Sequence, residues 1–163
     1  MFNGPLLDKN MLNSIVEQYT SINNTVTEGI FYQYTTIGNN NRFIKPDSIF
    51  TLRTNQPLLS FQPSFLHYGI DSHYGLSKEL FYDSSSGNIV QINDEDIGTT
   101  TYVWGYHDNR IIAKIHNASM MQVQNALTCS LNALNEKTDT EELIGIFNNL
   151  RAALPHAMVT SYT

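Results

Sequence analysis

Glu79-Leu80-Phe81-Tyr82-Asp83-Ser84-Ser85-Ser86-Gly87-Asn88-Ile89-Val90-Gln91-Ile92-Asn93-Asp94-Glu95-Asp96-Ile97-Gly98-Thr99-Thr100-Thr101-Tyr102-Val103-Trp104-Gly105-Tyr106 alternates short aromatic and β-branched runs with small polar clusters. That alternation decides the fold. Lys78 to Tyr82, Ile89 to Ile92 and Thr99 to Trp104 each suit a strand, and Arg110 to Ile115 makes another after a turn from Gly105 to Asn109. Gly87 and Gly98 supply turn geometries that a side chain would oppose, while Asn88 and Asp94 can bond local backbone in the same turns. The aromatic residues offer cross-strand contacts that hold successive hairpins in register.

Downstream the period changes. Ser119 can cap a helix whose apolar residues fall at Met120, Val123, Leu127, Leu131 and Leu134. Thr138-Asp139-Thr140-Glu141 fits a capping box with Thr138 as the cap; Leu143, Phe147, Leu150 and Leu154 then line one face and Pro155 stops the helix. The expectation is an amphipathic helical hairpin over 119–154, followed by a last strand in Ala157 to Tyr162.

Upstream, Met11 to Tyr19 and Glu28 to Thr36 form a plausible hairpin around the turn cluster Ser21 to Thr25, and Gly38-Asn39-Asn40-Asn41 breaks it. Pro46-Asp47 reads as a further turn before the short strand Ser48 to Leu52, and Gln56 to Tyr68 as loop. No stretch is long or polar enough for a linker. The expected class is therefore α+β, mainly β: an antiparallel sheet of β-hairpins with a C-terminal helical pair and a final strand, in one domain over 1–163.

Composition bounds the function. An apolar fraction of 41% with 15% charged residues fits a globular chain rather than a disordered one. A net charge of -6 would repel a phosphate backbone, so no nucleic-acid partner is expected. No apolar run approaches a membrane span, and no basic start followed by an apolar stretch signals secretion. Cys129 is the single cysteine, which excludes an internal disulfide and a thiolate cluster; its place in a helical pattern favours packing over nucleophilic duty.

Three constellations could carry chemistry. His67, Asp71 and His73 have ligand types suited to zinc or iron, as a metal-dependent hydrolase would need, against the plainer reading of a polar surface loop. Asn93-Asp94-Glu95-Asp96 concentrates oxygen ligands that could hold Ca²⁺, yet the spacing departs from the twelve-residue calcium loop and suits a solvated turn. Tyr68, Tyr74, Tyr82, Trp104 and Tyr106 could stack on sugars, with Tyr82, Trp104 and Tyr106 as the core of a glycan site, or could simply pack within the sheet. There is no Gly-x-Ser-x-Gly elbow and no carboxylate pair in an apolar setting, so neither an enzyme nor a cofactor is expected.

The set Tyr82, Asp83, Gly87, Asn88, Asp94, Gly98, Tyr102, Trp104, Gly105 and Tyr106 resembles one cycle of the YD repeat of bacterial Rhs-like proteins. Tyr102 to Tyr106 and Ala113-Lys114-Ile115 are similar to a block that precedes such repeats, over 79–115, and the likeness extends through the helices to Ser161-Tyr162-Thr163. Trp104-Gly105 stands where a second Tyr-Asp would, and three serines fill the first turn. The resemblance implies a non-catalytic structural or interaction module of a secreted or surface scaffold, some of which enclose toxins. It also implies protein partners, and a strand ending near Thr163 could leave an edge for self-association.

Overall fold

A computed structural model describes residues 5–6, 11, 13–67 and 69–162, without the side chain of His67. The chain is mainly β, every recorded strand pairing being antiparallel, with helices concentrated toward the C-terminus. By contact density it divides into two compact units, 1–79 and 80–163.

In the first unit β1 (Glu17–Ile22), β2 (Thr25–Ile37), β3 (Phe43–Leu52) and β4 (Tyr74–Tyr82) are neighbours in chain order. Asn23 and Asn24 sit at φ 50° and 62°, the left-handed pair of a two-residue hairpin, so the turn is tighter than the cluster Ser21 to Thr25 suggests. Pro46 and Asp47 do not form a turn. They lie within β3, where Gln33 pairs with Ser48 and Tyr34 with Pro46, leaving Asp47 as the extra residue of a bulge. Phe31 is buried against Phe50 and Tyr74, with ring centroids 6.0 and 6.2 Å away, and Phe61 meets Tyr74 at 6.0 Å. The segment 56–67 is anchored rather than free: Leu58 bridges Val26, and Glu17 accepts from the Ser64 N–H and hydroxyl at the start of α1 (Ser64–His67).

In the second unit, which takes the last residues of β4, the order is β5 (Ile89–Asp94), β6 (Gly98–Gly105), β7 (Arg110–His116) and β8 (Met158–Ser161). Alternation on β6 turns Thr101 and Val103 into the core and Tyr102 and Trp104 out of it. Gly105 is needed where β6 crosses Ile112, since a Cβ there would come within 2.8 Å of that side chain. Val103, Ala113 and Ile115 meet Val123, Leu134, Leu143, Phe147 and Leu150 of the helices in one buried cluster.

The first expected helix is two. α2 (Met120–Ala126) has Ser119 as cap in a capping box with Gln122, but Leu127 turns extended (φ -70°, ψ 142°). Ser130 then caps α3 (Leu131–Asn135) by accepting from the Ala133 N–H. Ser130 gives the backbone an alternative partner by capping the second helix, and the break lets Val123 and Leu134 both reach the core. α4 (Thr140–Ala153) is capped by Asp139, which accepts from the Glu142 N–H at 2.9 Å, one residue later than Thr138; a carboxylate there also faces the positive end of the helix.

Candidate functional site

Three turns shape the second unit, and two of them, at Asp83 and at Asp108, line a cleft. In the first, Asp83 Oδ1 accepts from the Ser85 and Ser86 N–H groups and the Ser86 hydroxyl, and Asp83 and Asn88 are joined by a main-chain bond. Burial pushes the Asp83 carboxyl up, but those serine donors outweigh it and hold the group below the ordinary carboxylate value. In the second, Asp94 Oδ1 accepts from the Asp96 and Ile97 N–H groups and Gly98 takes φ 80°, a three-residue hairpin closed by the pair Asp94 and Gly98.

The third turn is strained. Tyr106, His107 and Asp108 stand consecutively at φ 53°, 58° and 64°, a run that L side chains resist at about 1 kcal/mol or more per residue. Asn135, closing α3, holds it: its Oδ1 accepts from the Asp108 N–H, its amide donates to Asp108 Oδ1, and its carbonyl accepts from the His107 N–H. Asn88 adds a bond to the Asp108 carbonyl at 2.7 Å, tying the first turn to the third.

Between these turns the β5 and β6 ladder is recorded only from Asp94 and Gly98 to Gln91 and Thr101. Beyond it the Trp104 indole N–H donates to the Ile89 carbonyl at 2.7 Å, doing the work of a main-chain donor and fixing the ring between the strands. A cavity of about 480 Å³ opens there. Val90, Tyr102 and Trp104 form its sheet side; Met120 and Gln124 of α2 and Leu131 and Asn132 of α3 form its helical side. Asp83 and Asp108 stand in its lining, and among the described residues no Lys, Arg or His does. Cys129 also lines it, because the residue lies in the link between α2 and α3 rather than within a helix.

The aromatic set expected from the sequence is dispersed. Trp104 lines the cavity; Tyr106 lies in a separate groove with Arg110 and Tyr162, its ring 5.8 Å from the Arg110 guanidinium. Tyr82 lines neither of these, Tyr74 is in the core of the first unit, and Tyr68 lies outside the described residues. Tyr102, two residues before Trp104, takes the place assigned to Tyr106, a partner that period-two alternation could have found. Gln124 and Asn132 carried no signal in sequence, being ordinary exposed helix positions.

For a metal, the His67 side chain is outside the described residues. Asp71 is buried and committed to its loop: Oδ1 accepts from the His73 N–H at 2.9 Å and meets His73 Nδ1 at 2.7 Å, and Oδ2 accepts from the Gln62 N–H at 2.7 Å. Burial alone would raise its pKa, yet the donors from His73 and Gln62 lower it. In the acidic loop Asp94 is spent on turn N–H groups, and Asn93 Oδ1 meets Gln91 and Thr99. Among the described residues no group of three His, Cys, Asp or Glu side chains is placed to hold a metal ion, and none of their helices is long and apolar enough to cross a membrane. No family model, curated protein or solved structure matches the chain.

Proposed function

We propose that the chain is a non-catalytic structural and interaction module, as its likeness to Rhs/YD-repeat scaffolds implies, and that it self-associates through β1. The observation that carries the reading is the contrast between two edge strands. The Tyr32 N–H donates to the Val16 carbonyl at 2.8 Å, so by antiparallel alternation Gln18 and Thr20 turn their main chain toward β2 while Glu17 and Tyr19 turn theirs outward. Every β1 residue after Glu17 is exposed. On β8 the Tyr162 N–H donates to the Ile112 carbonyl, which makes Val159 the outward residue, and Arg151 of α4 covers it: Nε donates to the Val159 carbonyl at 3.3 Å and a terminal nitrogen to the Ser161 hydroxyl at 2.9 Å. A guarded edge is a protected one, whereas the outward main chain of β1 has no such guard among the described residues and is open to recruit a strand. With Arg151 over Val159 and Ser161, the self-association expected near Thr163 is proposed at β1 instead. The turns built on Asp83 with Gly87-Asn88 and on Asp94 with Gly98 support the scaffold reading, since they make rigid hairpins from the signature residues themselves.

Multi-angle light scattering over a concentration series tests the reading. A mass rising from one chain toward two supports it, and a single-chain mass at the highest attainable concentration refutes it.

A further inference from the structure

We infer that the cavity at the splayed end of β5 and β6 binds a neutral saccharide, a function beyond the scaffold role. Its volume of about 480 Å³ falls within the range of small-ligand sites. Trp104 presents a ring whose orientation is already set by the bond to the Ile89 carbonyl, so its indole N–H is not left for a ligand to satisfy. Around it Tyr102, Gln124 and Asn132 line the cavity with side chains that find no partner among the described residues. A phenol and two primary amides both donate and accept, which matches a ligand whose hydroxyls do the same. Asp83 and Asp108 each commit one oxygen to the protein, through Ser85 and Ser86 and through Asn135, leaving acceptor capacity for further hydroxyls.

Charge narrows the class. Two carboxylates, with no basic side chain beside them among the described residues, repel phosphates, sulfates and uronic acids. An aliphatic ligand would leave the amides and the phenol unpaired on desolvation. A ring with an apolar face and a rim of hydroxyls satisfies both walls, the face on Trp104 and the rim on the polar groups. The strained turn belongs to the same site, since the bonds of Asn135 and Asn88 fix Asp108 before any ligand arrives.

Trp104 is the only tryptophan, so its fluorescence reports on this cavity alone. The full chain is titrated with glucose, galactose, mannose, N-acetylglucosamine and their β-linked disaccharides, with tetramethylammonium and inorganic phosphate in parallel. The inference expects a saturable change with at least one sugar and none with phosphate. Gln124→Ala and Asn132→Ala, both at exposed helix positions, should each weaken that response by up to about tenfold with circular dichroism unchanged. No saturable change with any sugar overturns the inference, as does an unaltered affinity in both variants. A response to tetramethylammonium stronger than to every sugar assigns the site to a cation instead.

Discussion

Asn135 grips Asp108 from both sides, accepting its main-chain N–H at 2.8 Å and donating to its carboxylate at 3.0 Å. The pair spans 27 residues of chain and couples the end of a helix to a hairpin held at positive φ. Removing the amide leaves the left-handed run without its clamp. Asn135→Ala is predicted to lower stability by about 1–3 kcal/mol in urea unfolding. His107→Gly, at φ 58° with an exposed side chain, trades relief of strain against a more flexible unfolded chain and should shift stability by less than about 1 kcal/mol. Equal losses in the two variants would contradict the clamp.

The hairpin of β5 and β6 depends on Gly98 at φ 80° and on the Asp94 carboxylate. Gly98→Ala forces a side chain into the left-handed region and brings its Cβ to 3.2 Å from Asn117 Oδ1, at a cost of about 1–2 kcal/mol. Asp94→Ala strips two turn N–H groups of their acceptor and should cost a similar amount. Unchanged thermal midpoints in both would show that the turn is not set by these residues.

Acidification separates two kinds of carboxylate. Asp71 and Asp83 have folded pKa values below the ordinary 3.8, so the stability they add is present above 3.8 and lost as pH falls through their folded values. Asp47 is opposite: burial raises its pKa, its own N–H and that of Ser48 offset this only in part, and Oδ1 has no hydrogen-bond partner among the described residues. Its ionised form therefore weakens the fold above that raised pKa. At pH 7, Asp71→Asn should destabilise and Asp47→Asn should stabilise by up to about 1 kcal/mol, with the Asp47 gain vanishing in acid. Denaturant midpoints at neutral and acid pH for the three proteins read this directly, and a loss on Asp47→Asn at pH 7 would reverse the assignment.

Arg151 guards β8 through the Val159 carbonyl and Ser161. Arg151→Ala should expose that edge and raise the apparent mass in light scattering above wild type, because a second strand edge becomes free to pair. An identical mass profile would mean that something other than Arg151 protects β8.

Much of this architecture is legible in the sequence. Period-two alternation and turn residues located β4 to β7 within a few positions, because Gly87, Gly98 and the Asp-bearing turns have local causes. Pro46 misleads for the same local reason: a proline reads as a turn unless a bulge in its own strand, here at Asp47 and invisible in sequence, absorbs it. The continuous helical period from Met120 to Leu134 hid the break at Leu127, since both short helices keep the same face on the core. The cavity was half legible. Trp104 stood out as a large ring in a hairpin, but its neighbours come from a helix link that only tertiary packing brings beside it.

The central claim, that β1 is the associating edge, is tested most directly by light scattering on Thr20→Lys/Ile22→Lys beside wild type. Both side chains are exposed on β1, so the fold is retained while charge is placed on the edge. The account predicts a concentration-dependent dimer for wild type and a monomer for the double variant at the same concentration. A dimer of equal strength in both, or a monomer in both, contradicts it.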